Sequence, residues 1–262
     1  MPWLGFGVLH IADGETIENA VRWALETGYR HIDTAAIYGN EAGVGRAIKQ
    51  SGVPRSDIFV TTKVWNRDQG YEQTLSAFEA SLERLDMEYV DLYLVHWPVE
   101  GKYKETWQAV EMIYDSGRSR AIGVSNFLVH HLEILLSEAR IAPMVDQVEF
   151  HPYLQQPDLQ AFCREHQIQL EAWRPIMKGK ANQVVELVEL GHRYGKTPVQ
   201  ITLRWMIQRG VVAIPKSEQQ ARIQSNADIF DFELETEDLA VIDSLDRHER
   251  LGADPDNFHF DF

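Results

Sequence analysis

Short apolar runs alternate with amphipathic helical patterns along this chain, and that alternation constrains its fold more than any other feature. Apolar residues recur three and four positions apart in segments such as ETWQAVEMIYDSG, which is typical of helices with one buried face. Strands that alternate with helices are expected to be parallel and joined by right-handed crossovers. Eight strands are predicted: Tyr29–Thr34, Ile58–Lys63, Val90–Val95, Arg120–Val124, Val145–Glu149, Gln169–Trp173, Val211–Ile214 and Ile229–Phe232.

Eight such units in 262 residues fit a closed barrel better than an open sheet. We therefore predict the α/β class, with a single (β/α)8 TIM barrel domain over residues 1–262 and an active site at the C-terminal ends of the strands. An open doubly wound sheet is the alternative, and it usually carries a G-x-G-x-x-G turn after its first strand. The segment GFGVLH has only the first two glycines and leads into no helical pattern, which disfavours that alternative.

The net charge and the composition limit which binding partners and which cellular compartment are expected for this protein. The net charge of −15 argues against nucleic acid or an anionic membrane surface as the main partner. No apolar run approaches the roughly 20 residues that cross a bilayer, and the N-terminus lacks the pattern of a secretory signal. The lone Cys163 excludes an internal disulfide and is expected to be a buried structural thiol. These features predict a cytoplasmic protein.

Polar and aromatic side chains gather where the predicted strands end. Each of them has an ordinary structural explanation when it is taken alone. Because the C-terminal ends of barrel strands meet at one face, we expect them to share a pocket. In chain order they are Asp33 with Tyr38 just beyond it, Lys63, His96, Ser125 with Asn126, Gln147 with Glu149, Trp173 with Arg174, and Lys216 with Ser217.

Four of these residues suit proton transfer to a carbonyl oxygen. An ammonium at Lys63 is expected to lower the pKa of the Tyr38 phenol, and a carboxylate at Asp33 would keep that ammonium charged. The phenol could then donate a proton to a developing alkoxide, while His96 orients the carbonyl. The ten histidines show no metal-ligand spacing. Since no side chain supplies a hydride, a nicotinamide cofactor is expected.

The motifs GYRHIDTAAIYGNE, TTKVWN, LYLVHWP, GVSNF, QVEFHP and IPKS followed by ARIQSN resemble the aldo-keto reductase superfamily over nearly the whole chain. The closest resemblance is to its bacterial glyoxal reductase and 2,5-diketo-gluconate reductase branch. It implies a catalytic tetrad of Asp33, Tyr38, Lys63 and His96, with Tyr38 as the proton donor. It also implies residues that bind the nicotinamide: Ser125, Asn126 and Gln147 at its carboxamide, and Trp173 stacked on its ring.

The same resemblance places the adenosine end of the cofactor on IPKSEQQARIQSN. Lys216, Ser217 and Arg222 would bind the 2′-phosphate and Asn226 the adenine, which favours NADPH over NADH. Arg174 stands where the family commonly has serine. It could bind the pyrophosphate or turn to solvent. The loop from Arg174 to Gln183 is short, so a long belt over the cofactor is not expected, and neither is a bottom hairpin before MPWLGFG.

Leu9, Trp65 and Trp97 match positions that line the substrate pocket of the family, and residues 254–262 resemble its variable tail. The expected activity is NADPH-dependent reduction of small aldehydes, α-dicarbonyls or keto-sugars by a monomer. One alternative is a nicotinamide-binding regulatory or structural protein. Another is a Schiff-base enzyme that uses Lys63 as its nucleophile, which needs a neutral amine and is disfavoured beside Asp33.

Overall fold

Eight parallel strands form a closed barrel in this computed structural model, which describes residues 1–259. Each strand pairs with the next one along the chain. This is the order expected when every strand is followed by a right-handed helical crossover. The strands are β1 (Phe6–Gly7), β2 (His31–Asp33), β3 (Phe59–Val64), β4 (Leu92–Val95), β5 (Ile122–Ser125), β6 (Val145–Glu149), β7 (Gln169–Trp173) and β8 (Val212–Ala213). The predicted (β/α)8 barrel is confirmed.

The barrel closes where β8 meets the segment that leads into β1. Leu4 forms a parallel bridge with Ala213, and the backbone N–H of Gly5 donates to the Ala213 carbonyl at 2.9 Å. A Cβ atom at Gly5 would lie 2.6 Å from Nδ1 of His31. Glycine is therefore required at this position, because the chain passes directly over a side chain that fills the barrel interior.

Ten α-helices pack their apolar faces around the strands within the described residues. Their ends carry ordinary capping signals: α1 stops at Gly28, which has φ 109°, and Thr197 caps α8 in a reciprocal arrangement with Gln200. The helices are α1 (Glu15–Thr27), α2 (Glu41–Gln50), α3 (Tyr71–Leu85), α4 (Tyr103–Asp115), α5 (Val129–Leu136), α6 (Pro157–Glu165), α7 (Val185–Tyr194), α8 (Pro198–Gln208), α9 (Gln220–Ala227) and α10 (Thr236–Asp243). No helix in the described range is both long and apolar enough to pass through a bilayer.

One strand assignment from the sequence is wrong, and one strand of the barrel was not predicted. The predicted strand Ile229–Phe232 is irregular chain after α9, while the first strand of the barrel is Phe6–Gly7. Ile229 is buried and its carbonyl accepts a hydrogen bond from Arg204, whereas Phe230 is exposed. The apolar run at 229–232 therefore packs on the helix layer. In contrast, Phe6–Gly7 is too short and too rich in glycine to show strand periodicity.

The other seven predicted strands lie where they were predicted, with ends that differ by up to two residues. The strands Val145–Glu149 and Gln169–Trp173 have the predicted bounds. Cys163 is buried in α6, as expected. The short loop after β7 contains 3-10 turns within Met177–Gln183, interrupted by a kink at Lys178 and Gly179.

Candidate active site

A buried ion pair lies at the C-terminal end of the neighbouring strands β2 and β3. The Lys63 ammonium donates to both carboxylate oxygens of Asp33, at 2.7 and 2.9 Å, and to the backbone carbonyl of Thr34 at 2.9 Å. All three ammonium hydrogens therefore have acceptors. Both side chains are shielded from solvent, so the pair holds a fixed geometry inside the barrel.

Tyr38 and His96 lie on either side of the opening above this ion pair. Tyr38 ends a 3-10 helix that follows β2, and its ring centroid is 5.3 Å from Nζ of Lys63. His96 directly follows β4, and its ring meets the ring of Tyr38 edge to face at 5.8 Å. The Trp65 ring packs edge to face against His96 at 4.9 Å. The structure thus brings the four predicted tetrad residues together.

Burial sets the protonation of this group of residues. Burial is the largest single influence and lowers the pKa of Lys63, but the charge and hydrogen bonds of Asp33, together with the other neighbours of Lys63, outweigh it. The pKa is therefore raised and the side chain stays charged. Burial and then the nearby Lys63 charge hold the pKa of His96 well below its ordinary value, so its imidazole is neutral at physiological pH.

The expectation of a lowered Tyr38 pKa is wrong. Burial is the largest influence and raises the pKa of the phenol, and Asp33 adds to that effect. Lys63 lowers it, as expected, but does not prevail. Tyr38 is therefore protonated across the neutral range and available as an acid.

The predicted carboxamide-binding residues lie at the end of β5 and in the middle of β6. Asn126 is in the left-handed region with φ 66°, which turns its side chain back toward the site. Its Nδ2 donates to the His96 carbonyl at 2.9 Å, and its Oδ1 accepts from Nε1 of Trp173 at 2.8 Å. Ser125 Oγ donates to the Gln147 carbonyl at 2.7 Å. These polar groups and the Trp173 ring therefore form one connected surface beside the tetrad.

Arg174 lies between that surface and the C-terminal segment. Its guanidinium is 5.2 Å from the Trp173 ring centroid and 3.8 Å from a carboxylate oxygen of Glu149. Glu149 in turn accepts hydrogen bonds from the backbone N–H groups of Leu251 and Gly252, at 2.9 and 3.0 Å. The sequence analysis singled out Arg174 and Glu149 but did not predict that they anchor the returning chain.

The predicted adenosine-binding residues lie together after β8 and on α9. Ser217 and Asn226 are buried, whereas Arg222 is exposed in the first turn of α9. Lys216 forms an ion pair with Glu218, two residues further on. A basic and hydroxyl-bearing surface is therefore present at this end, although one of its two cations is already partly neutralised.

The predicted pocket residues border the same opening with different exposure. Trp65 and Trp97 are buried, and Leu9 is 39% exposed just beyond β1. The ring of Phe258, from the tail, lies 4.9 Å from that of Trp97. Residues 260–262 of the predicted tail lie outside the described part of the chain.

Two interior residues that contact the tetrad layer escaped the sequence analysis. Glu171 and His31 are fully buried below Asp33, with 3.6 Å between a carboxylate oxygen and Nε2. Gln147 Nε2 donates to Asp33 at 2.7 Å and to Glu171 at 3.1 Å. The available signal was the segment QLEAW, where a glutamate lies two residues from Trp173 and hence on the same face of the strand.

Known proteins are similar in sequence to this chain along most of its length. The model of the Aldo/keto reductase family matches residues 4–247. The chain is 55% identical to a glyoxal reductase of Bacillus subtilis, over 99% of this chain and 94% of that protein. It is 44% identical to the methylglyoxal reductase DkgA of Escherichia coli, over 98% of this chain and 94% of that protein.

Solved structures agree as well. A variant of Gox0644, solved in complex with NADPH, is 40% identical and superposes with a TM-score of 0.93 over 99% of this chain and 95% of that one. The matched region contains every strand of the barrel and each of the four tetrad residues. The chain therefore belongs to the aldo/keto reductase family.

Proposed function

We propose that this protein uses NADPH to reduce the carbonyl group of small aldehydes, α-dicarbonyls or keto-sugars to an alcohol, with Tyr38 as the proton donor. One observation carries the proposal: the buried Lys63–Asp33 pair lies directly beside a protonated phenol and a neutral imidazole at one opening. That arrangement suits an acid that must donate a proton to a developing alkoxide. The family assignment supports the same class of reaction.

The residues at the strand ends fit a nicotinamide cofactor. Trp173 offers a half-buried aromatic ring whose Nε1 is held by Asn126, and Ser125, Asn126 and Gln147 present amide and hydroxyl groups around it. Such groups match the donor and acceptor atoms of a carboxamide. When bound, NADPH supplies the hydride that side chains cannot provide. The complex of Gox0644 with NADPH supports this choice of cofactor.

Each of the four tetrad side chains has its own role in the proton-transfer part of carbonyl reduction. The neutral His96 ring can donate a hydrogen bond that orients the carbonyl oxygen between its Nε2 and the Tyr38 hydroxyl. As negative charge develops on that oxygen, Tyr38 gives up its proton. The Lys63 ammonium, 5.3 Å from the phenol ring, then stabilises the phenolate. Asp33 keeps Lys63 charged and oriented throughout.

The cofactor preference and the oligomeric state belong to the same proposal. Lys216, Ser217, Arg222 and Asn226 would hold the 2′-phosphate and adenine, with Arg222 as the more available cation because Lys216 is paired with Glu218. Arg174, which lies beside Trp173, would add a charge-assisted contact to the pyrophosphate. We further propose that the protein acts as a monomer.

The substrate class rests on the opening itself and on the relatives. Trp65, Trp97, Leu9 and Phe258 give the opening aromatic and aliphatic walls, which suit small carbonyl compounds. The glyoxal and methylglyoxal reductases point to short α-dicarbonyls.

A panel of aldehydes, α-dicarbonyls and keto-sugars, followed by the loss of NADPH absorbance, tests this proposal. We expect turnover of several members, with the highest kcat/KM among short α-dicarbonyls. If NADPH binds but no member is reduced, the proposal is wrong and a nicotinamide-binding regulatory role is favoured.

A further inference from the structure

A second carboxyl group lies in the barrel interior directly below the proposed tetrad. Glu171 on β7 is fully buried, and its Oε2 lies 3.1 Å from Nε2 of Gln147. The same Gln147 nitrogen donates to Asp33 at 2.7 Å. One amide nitrogen therefore joins the carboxylate that holds Lys63 to a carboxyl group that contacts no substrate.

Charge balance within this cluster favours a neutral Glu171. Asp33 and Lys63 neutralise each other at 2.7 Å. An ionised Glu171 would add an uncompensated negative charge at a site without solvent, which is costly. His31 could compensate it at 3.6 Å, but burial and then Lys63 lower the pKa of its imidazole to about 3. Oε1 of Glu171 accepts no hydrogen bond within the described residues, so no donor there stabilises a negative charge on this oxygen.

The groups that face Glu171 come from three other strands. They are His31 and Asp33 on β2, Lys63 on β3, and Gln147 on β6, while Thr61 on β3 is hydrogen-bonded to His31. Burial, followed by repulsion from Asp33, raises the pKa of Glu171 to about 8, while Gln147 and Lys63 act in the opposite direction. Its charge therefore changes at the alkaline edge of the physiological range.

We propose that Glu171 is a positioning residue for carbonyl reduction, which in its neutral form holds Gln147 against Asp33 and whose ionisation sets the alkaline limit of the activity. This inference rests on the proposed function, because it assigns Tyr38 the acid role. Both hydrogens of the Gln147 amide nitrogen point toward carboxyl oxygens in this arrangement, which leaves its carbonyl oxygen for the cofactor. An ionised Glu171 would also raise the pKa of Tyr38 and make it a weaker acid.

The pH dependence of kcat/KM for reduction of methylglyoxal by NADPH tests this proposal. Wild type is compared with Glu171→Gln, which mimics the neutral carboxyl, and with Asp146→Asn. Asp146 is a matched control because burial also raises its pKa well above the ordinary value. It lies on the opposite face of β6 from Gln147 and interacts with Cys163 of α6, so it points into the helix layer and away from the barrel interior.

We expect wild type and Asp146→Asn to lose activity as the pH rises through about 8. In Glu171→Gln the decline should move up by at least about one pH unit, or disappear. Coincident profiles for wild type and Glu171→Gln would overturn the proposal, because the limit would then belong to another group. A wild-type profile that stays flat to about pH 9.5 would overturn it too.

Infrared difference spectra give a second measurement that needs no active variant. In the Asp146→Asn protein, the carbonyl stretch of a protonated buried carboxyl should disappear over the pH range in which activity declines. If that band does not change over this range, Glu171 does not titrate there and the proposal is wrong. Retained reduction by Tyr38→Phe would instead refute the proposed function and leave the infrared result unaffected.

Discussion

At the scale of single residues, the site depends on which charges are already paired. Lys63 is fully committed to Asp33 and Thr34, so it acts on Tyr38 as a fixed positive charge and is unsuited to a nucleophile. Lys216 is paired with Glu218, whereas Arg222 makes no ion pair within residues 1–259. The two cations proposed for the 2′-phosphate should therefore contribute unequally.

Replacing Arg222 with glutamine should weaken NADPH by about 10- to 150-fold, which corresponds to the roughly 1.5–3 kcal/mol of one charge-assisted contact. NADH should be unaffected, since it lacks the 2′-phosphate. Lys216→Gln should show the same preference with a smaller loss, because Glu218 already offsets that charge. Fluorescence titration of both cofactors measures these affinities, and an equal loss for NADPH and NADH would show that the two side chains lie away from the 2′-phosphate.

At the scale of elements, the returning C-terminal segment is held against the end of β7. Glu149 accepts two backbone hydrogen bonds from Leu251 and Gly252, and Arg174 lies beside them over Trp173. A Cβ atom at Gly252 would lie 2.5 Å from the Trp173 ring and 2.9 Å from the Arg174 guanidinium. The position of the aromatic ring proposed to stack on the cofactor thus depends on the absence of a side chain at residue 252.

Gly252→Ala should displace Trp173 or the 251–252 segment and so weaken NADPH and NADH to the same degree, because the two share the nicotinamide ring. We expect at least about a tenfold loss, equivalent to about 1.4 kcal/mol. Quenching of Trp173 fluorescence gives both affinities, and the comparison between the cofactors is the internal control. Unchanged binding in the variant would mean that the segment adjusts without moving Trp173.

Arg174→Ser tests whether the guanidinium reaches the pyrophosphate. We expect faster release of both cofactors in stopped-flow fluorescence and an unchanged hydride step, since the pyrophosphate is common to NADPH and NADH. The contacts with Trp173 and Glu149 define the competing result. If release is no faster than in wild type, Arg174 serves the C-terminal segment alone.

Across the whole molecule, a raised carboxyl pKa makes stability depend on pH. The pKa of Glu171 is about 8 in the folded protein and about 4.3 in an unfolded chain. The folded state therefore retains a proton that the unfolded state loses, and the free energy of unfolding falls as the pH rises between those values. Below about pH 4.3 Glu171 is protonated in both states, so it no longer makes the free energy of unfolding depend on pH.

Glu171→Gln should remove this dependence. Its melting temperature relative to wild type should rise steadily from about pH 5 to about pH 8, since each pH unit in that window corresponds to about 1.4 kcal/mol for a fully separated pair of pKa values. Thermal denaturation at a series of pH values measures the difference. A constant difference would show that Glu171 ionises normally in the folded protein.

The sequence predicted the barrel and the tetrad because their signals are local. Apolar periodicity reports seven strands, and the motifs around Asp33, Lys63 and His96 mark neighbouring strand ends. The sequence did not predict the features that depend on contacts between residues far apart in the chain. Phe6–Gly7 is a strand only because Gly5 lets the chain cross His31 and meet Ala213. The contact between Gln147, Asp33 and Glu171 joins residues up to 138 positions apart, and no local pattern encodes it.

The net pKa of Tyr38 could not be predicted either. The sequence indicated the Lys63 charge that lowers it, but the larger, opposite effect of burial depends on how the neighbouring rings enclose the phenol. This matters for the mechanism, because a phenol that is already protonated can donate its proton as soon as the substrate binds.

The most direct test of the account is the Tyr38→Phe variant, assayed for reduction of methylglyoxal and for NADPH binding. Tyr93→Phe is the matched control, because the Tyr93 ring packs against Phe78 at 4.7 Å, in the layer between strands and helices. We predict that Tyr38→Phe loses about 10²–10⁴-fold in kcat while its Kd for NADPH stays within about twofold of wild type, and that Tyr93→Phe retains its activity. A Tyr38→Phe enzyme that keeps more than about a tenth of the wild-type kcat would contradict the proton-donor role.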